Sequence, residues 1–228
     1  MHVSAIIVAA GRGHRMGGSV PKQFQSICGK PIFYYAVQKF EECTLIDEIV
    51  LVAAEDWLLY ISQEIVNRFD LKKIRNIVAG GKERQDSVFA GLKALEGPPD
   101  LVAIHDAVRP FVSVEKIEET IKACQKYGAA ILAVPPKETI KIEKAGFVDR
   151  TPSRKSLWSV QTPQIFKYDI IYNAHLNAFE KGVYETDDSA LVERFGNSYI
   201  KIVKGEYNNI KITNPLDLKL AEFILKTE

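Results

Sequence analysis

Short runs of branched aliphatic residues alternate along this chain with longer stretches whose apolar positions recur every three or four residues. Val3 to Ala9 reads as a buried strand, and Ile49 to Ala53, Ile77-Val78, Leu101 to Ile104 and Ala129 to Val134 repeat the pattern. Between these fall helical periods: Ile32 to Phe40 with Pro31 near its first turn, Trp57 to Phe69, Ser87 to Leu95, and Val114 to Tyr127 with Ser113 as N-cap. Such alternation predicts an α/β fold of three layers, a mostly parallel Rossmann-like sheet with helices on both faces.

The rhythm breaks after Pro135-Pro136. Thr139 to Glu143 and Phe147 to Arg150 are short polar-alternating runs around Lys144-Ala145-Gly146, the pattern of a β-hairpin. Helical periods return over Ile170 to Phe179 and Asp188 to Phe195, with strands expected over Tyr199 to Val203 and Ile210 to Thr213. A last helix starts at Pro215 behind Thr213 or Asn214 as cap. No linker divides the chain, so the expectation is one domain over residues 1–228 with a protruding arm over 136–160.

Composition narrows the possibilities. With 46% hydrophobic and 26% charged residues the chain can bury a core that holds a rigid site. The 3 cysteines are far apart and form no C-x-x-C pair, which argues against a disulfide framework or a cysteine zinc site. No apolar run approaches the roughly 18 residues of a membrane span, and Met1-His2-Val3 runs straight into a strand, leaving no room for a signal peptide. The expected location is therefore the cytoplasm. A net charge of +1 creates no field that would recruit nucleic acid. Arg12, Arg15 and Lys22 nevertheless crowd one short loop, and Lys201, Lys204 and Lys211 fall near the other end, which points to a small anionic ligand.

The loop after the first strand reads Ala9-Ala10-Gly11-Arg12-Gly13-His14-Arg15-Met16-Gly17-Gly18. Glycines at the carboxyl end of a parallel strand let backbone N–H groups approach phosphate oxygens. A Walker A loop is excluded because no lysine follows the glycines, and a dinucleotide fingerprint fails because Met16 occupies its last glycine position. Arg12, Arg15 and Lys22 suit a triphosphate, whose charge must be screened before another anion can attack. Asp106 follows a run that should be buried, so its carboxylate emerges where such folds bind ligands. A hard oxygen there suits Mg²⁺ shared with substrate phosphates; the alternative is a loop aspartate paired with Arg109. His105 reads as a packed structural histidine rather than a base.

Blocks matching one family run in order along the chain: AAGRGHRM (Ala9 to Met16), PKQ (Pro21 to Gln23), GGKERQDSVFAGL (Gly80 to Leu92), HDAVRP (His105 to Pro110), RKSLWSVQTPQIF (Arg154 to Phe166), TDD (Thr186 to Asp188) and NIKIT (Asn209 to Thr213). The sequence thereby resembles the 2-C-methyl-D-erythritol 4-phosphate cytidylyltransferases of the non-mevalonate isoprenoid pathway. The resemblance implies a nucleotidyltransferase sheet, CTP and a small polyol phosphate as substrates, and Mg²⁺. It implies that Arg15 and Lys22 stabilise charge at the α-phosphorus, and that Ala9, Ala10, Gly81 and Ser87, with the Gly11 and Gly13 loop, frame the nucleotide largely by backbone groups. Thr139, Arg154 and Lys211 would hold the methylerythritol phosphate, with Asp106 and Arg109 beside it and the metal. It also implies a homodimer whose arms embrace, each completing its neighbour's site. Lys82 stands where many relatives carry an acid.

The implied reaction is in-line attack of a phosphate oxygen on the α-phosphorus of CTP with loss of pyrophosphate. A phosphate monoester has its second pKa near 6, roughly, so it is largely ionised at neutral pH and needs no general base. The nearest alternative is a ribitol 5-phosphate cytidylyltransferase; Ala9-Ala10-Gly11 and Leu157-Trp158 favour the methylerythritol enzyme. A glycosyltransferase would want D-x-D where Ile104-His105-Asp106 stands, and a nucleotide sensor would have no use for a second anion pocket.

Overall fold

In the computed structural model, which describes residues 1–11, 20–196 and 198–227, the expected alternation becomes a seven-stranded sheet. Strand β1 (Val3–Ala9) is buried along almost its whole length. The short β2 (Ser26–Ile27) and β3 (Lys30–Pro31) form a separate hairpin that leads into α1 (Ile32–Glu42), with Pro31 as the extended residue before its first turn. β4 (Glu48–Ala53) pairs parallel to β1. The stretch read as one helix is a 3₁₀ turn (Glu55–Trp57), α2 (Leu58–Tyr60) and a wider π-helical segment (Ile61–Asn67). β5 (Ile74–Ala79) follows beside β4. α3 (Arg84–Lys93) begins earlier than its apolar period suggests, because Glu83 and Asp86 close a capping box around its first turn. β6 (Leu101–Asp106), α4 (Val114–Tyr127) and β7 (Ala129–Val134) match expectation, and Ser113 caps α4 by accepting from the Lys116 N–H at 3.3 Å.

Beyond β7 the chain leaves the sheet. β8 (Ile142–Lys144) and β9 (Phe147–Arg150) pair antiparallel around Ala145-Gly146, both in the left-handed region, as the hairpin pattern required. β10 (Ser159–Lys167) then returns to the middle of the sheet, antiparallel to both β6 and β7. Hydrophobic patterning did not mark this strand. Gln161, Thr162 and Gln164 are buried on it, and Pro163 argues against a central strand. The ladder accommodates the proline through a register break between Val160 and Gln164, and the polar side chains are consumed by hydrogen bonds.

α5 (Tyr168–Glu180), α6 (Asp188–Leu191) with its π-helical extension (Val192–Gly196), β11 (Lys201–Lys204) and α7 (Pro215–Thr227) complete the fold. Asn214 is the cap of α7: its side-chain oxygen accepts from the Leu216 and Asp217 N–H groups. The strand expected over Ile210 to Thr213 does not form. Ile212 N–H makes one bond to the Val108 carbonyl at 2.9 Å, and the segment is otherwise irregular.

The strand order is β11-β7-β10-β6-β1-β4-β5. Alternation along β1 sends Ala5 and Ile7 to one face, under α1 and α4, and Ile6 to the other, under α3 and α5. β1 is also where the chain order reverses: β4 and β5 lie to one side, β6 to the other. Ligands in such sheets bind in the crevice at the carboxyl ends of the strands at this point.

Candidate active site

That crevice holds a cavity of about 270 Å³ whose wall includes Ala9, Ala10, Gly11, Lys22, Gly81, Ser87, Asp106 and Lys211. Residues more than 200 positions apart in the chain meet here, because the carboxyl ends of β6, β1 and, beyond β4, β5 lie along one edge of the sheet and the irregular segment at Ile210 to Thr213 brings Lys211 to it. Gly80 lies where any Cβ would collide with Ala10 and the Ser87 hydroxyl, and a Cβ on Gly81 would collide with Asp86. The paired glycines therefore let the start of α3 close against the first loop. Ser87 Oγ accepts from the Gly81 N–H at 3.2 Å and donates to the Glu83 carbonyl at 3.0 Å, which sets this corner. On the opposite side, the buried Gln23 amide donates to the Ala9 and Gly11 carbonyls at 2.5 and 2.9 Å. Those carbonyls are thus engaged by Gln23, which lines the same cavity. Gly13 and Arg15, and Arg12 with them, lie outside the described residues.

A second cavity, about 300 Å³, adjoins the first and is lined by Arg109, Gln161, Thr162, Thr186 and Asp187. Arg84, Asp106 and Lys211 line both and so form a dividing wall. Asp106 is held there by Lys211 Nζ at 2.7 Å and by Arg84 Nε at 2.9 Å. The pairing expected with Arg109 is the weakest of the three, at 3.9 Å, because Arg109 is spent elsewhere: its guanidinium donates to the Asn209 carbonyl at 2.9 Å and the Val160 carbonyl at 3.4 Å. Burial alone would push the Asp106 carboxyl up, but Arg84, Lys211 and Arg109 outweigh it and hold the group well below the usual carboxylate range. Asp106 is therefore an anion at neutral pH.

Sequence reasoning gave Arg84 no role. Burial would weaken its cation, but the carboxylates of Asp188 and Asp106 more than restore it. One signal was available: a cation in the first turn of a helix opposes the helix dipole, so it needs acids to compensate. Those acids, Asp106 and Asp188, are distant in sequence and could not be matched to it by pattern.

Thr139 and Arg154 line neither cavity. They meet each other instead, Arg154 Nη2 donating to Thr139 Oγ1 at 3.1 Å, on the exposed arm. The arm also exposes Ile140, Phe147, Val148, Trp158 and Val160.

His105 is fully buried and structural, as expected. The Asp106 N–H donates to Thr162 Oγ1 at 3.1 Å, and the hydroxyl lies 3.0 Å from His105 Nδ1. Nε2 lies 3.0 Å from the Arg109 carbonyl, which can only accept, so Nε2 carries the proton and Nδ1 takes the hydroxyl hydrogen. Burial lowers the ring from its ordinary 6.5 to about 4. The unfolded chain then binds more protons between those values, so stability falls as pH drops from 6.5 towards 4. The expected loss is up to ~3 kcal/mol, read by urea unfolding at stepped pH. His105→Gln should flatten the slope between pH 6.5 and about 5, and an unchanged slope would show that another group carries it.

The chain matches the family described as 2-C-methyl-D-erythritol 4-phosphate cytidylyltransferase over residues 3–227. A 2-C-methyl-D-erythritol 4-phosphate cytidylyltransferase of Clostridium acetobutylicum is 50% identical over 223 residues, covering 97% of this chain and 96% of that one. Its counterpart in Caldanaerobacter subterraneus is 46% identical, covering 99% and 100%. Among solved structures, the 4-diphosphocytidyl-2C-methyl-D-erythritol synthase of Anaerococcus prevotii superposes with a TM-score of 0.89 at 37% identity, covering 99% of this chain and 96% of that one. The cytidylyltransferase of Thermus thermophilus superposes with 0.79 at 30%, covering 99% and 100%.

Proposed function

The chain belongs to the 2-C-methyl-D-erythritol 4-phosphate cytidylyltransferase family and transfers CMP from CTP to 2-C-methyl-D-erythritol 4-phosphate; from that premise we propose that its two adjoining cavities divide the substrates. The observation that carries this reading is the shared wall of Arg84, Asp106 and Lys211 between a glycine-rich cavity and a second polar one. CTP occupies the first, with its base and ribose against Ala9, Ala10, Gly81 and Ser87 and its triphosphate along Gly11 and Lys22. Methylerythritol phosphate occupies the second, where Arg109 and Lys211 supply positive charge.

A phosphate oxygen of the acceptor attacks the α-phosphorus, a new P–O bond forms, the bond to the β-phosphate breaks, and pyrophosphate leaves. The acceptor phosphate is already ionised, which fits two cavities with no histidine among the described residues that line them: His105, beside Asp106, is buried in a hydrogen-bonded chain. What the residues contribute is alignment and charge. Lys22, with Arg15, stabilises the charge that builds at the α-phosphorus and on the leaving group. Lys211 screens the two anions from each other.

Magnesium does not fit as an ion resident on Asp106. Both carboxylate oxygens are gripped by cations, and the described residues offer no other cluster of acids, histidines and cysteines there. Mg²⁺ is proposed to arrive on the triphosphate, coordinated by phosphate oxygens and water.

The arm supports a homodimer. Its Thr139–Arg154 pair faces neither cavity of its own chain, and a two-stranded hairpin with this much apolar surface needs a partner to pack against. In the proposed assembly each arm brings Thr139 and Arg154 to the neighbouring subunit's second cavity. No helix among the described residues is long and apolar enough to cross a membrane, and the cysteines are free, which suits the cytoplasm.

Pyrophosphate release from CTP with each polyol phosphate in turn tests the substrate. The expected result is turnover with methylerythritol phosphate and a much lower kcat/KM with ribitol 5-phosphate. An equal or higher value with ribitol phosphate would overturn the acceptor assignment while leaving the CMP transfer intact.

A further inference from the structure

We propose that Asp188 is a positioning residue for the transfer: it fixes the Arg84 guanidinium, and through it the Asp106–Lys211 wall, an inference that rests on the assignment of the two cavities above. Asp188 lines neither cavity, and its side chain is 1% exposed. A carboxylate is costly to bury unless it is paired. Its partner is not local: Arg84 Nη1 donates to Asp188 Oδ2 at 2.8 Å across 104 positions of sequence, while Nε of the same guanidinium holds Asp106 Oδ1 at 2.9 Å.

The two contacts together fix the group. A planar guanidinium held at Nε alone can turn about that bond; held at Nη1 as well, it has one orientation. The orientation matters because Arg84 lines both cavities and sits where the helix dipole repels a cation. Without Asp188, a single carboxylate would face Arg84, Arg109 and Lys211, and Arg84 would be drawn to whichever substrate phosphate came closest.

The mount of Asp188 is itself rigid. Asp187 caps the short α6 by accepting from the Ala190 N–H at 2.8 Å, and Gln164 ties that helix start to β10 by accepting from the Ser189 N–H at 2.9 Å. Behind Asp188, His175 Nε2 approaches Oδ1 to 3.3 Å without hydrogen-bond alignment, its ring stacked on Phe89. Burial would push the Asp188 carboxyl up, but the Arg84 guanidinium outweighs it and holds the group below its ordinary range, so the clamp is charged at neutral pH.

A kinetic double-mutant cycle tests the proposal with CTP saturating and methylerythritol phosphate varied. Asp188→Asn keeps the shape and removes the charge, and should lower kcat/KM for the acceptor about tenfold or more, as a small misplacement at a distance does. Arg84→Gln should lower it roughly 100-fold. The double variant should be no slower than Arg84→Gln, since nothing remains to be positioned, and should melt at a higher temperature because an unpaired buried carboxylate is gone. Wild-type kcat/KM in Asp188→Asn, or losses that multiply in the double variant, would overturn the proposal. If Asp188→Asn does not fold, Arg84→Lys serves: a single ammonium cannot hold two carboxylates in this geometry, so wild-type kinetics there would overturn it equally. If the wild type itself failed to release pyrophosphate, the assignment of the cavities would fall. A crystal structure of Asp188→Asn would then decide the positioning role by whether Arg84 keeps or loses its contact with Asp106.

Discussion

Lys22→Ala is expected to lower kcat by roughly 10²–10³-fold while changing KM for CTP much less. Lys22 opens a 3₁₀ turn (Lys22–Phe24) beside the first cavity. The turn is anchored by its other residues: Gln23 is buried and bonded to the Ala9 and Gly11 carbonyls, and Phe24 stacks on Trp57 with ring centroids 4.5 Å apart. Removing the lysine side chain leaves these anchors of the turn in place, so the fall in kcat should far exceed any effect on the thermal midpoint. On the proposed division of the cavities, what is lost is a cation beside the charge that develops as the α-phosphorus is attacked, and such an interaction acts in the transition state. Steady-state kinetics decide it. A raised KM with unchanged kcat would reduce Lys22 to a binding group, and a large drop in melting temperature would assign it a structural role.

The second large effect concerns the arm. Lys22→Ala and Arg154→Ala homodimers should each be nearly inactive, yet mixing them should restore activity. If Lys22 serves its own chain's cavity and Arg154 the neighbour's, each homodimer lacks one group in both sites. A mixed dimer has one intact site and one doubly defective site. Random exchange makes about half of the dimers mixed, with one working site of two, so about a quarter of wild-type activity should return. The placement of Thr139 and Arg154 outside both cavities motivates the experiment. No recovery, with mixed dimers confirmed by mass, would mean that one chain builds the whole site.

Much of the fold was legible in the sequence because strands buried on both faces and amphipathic helices write their burial directly into residue type. β1, β4, β6 and β7 appear as apolar runs, and Ser113, Asn214 and the Ala145-Gly146 turn follow from local backbone chemistry. The first cavity was legible too: Gly11 and Lys22 belong to the glycine-rich, basic stretch after β1, where this topology binds ligands, and the family resemblance pointed to Ala9, Ala10, Gly81 and Ser87, which line the same cavity. Tertiary structure alone decided the rest. β10 is a central strand whose polar residues are satisfied by partners up to 57 positions away, which no local pattern can express. The segment Ile210 to Thr213 has the composition of a strand, yet it finds no ladder and serves to bring Lys211 to Asp106. The ties between Arg84, Asp106 and Asp188 likewise exist only once α3, β6 and α6 are packed together. A sequence records which groups are charged, but burial and distance fix which of them are paired, and those are properties of the folded chain.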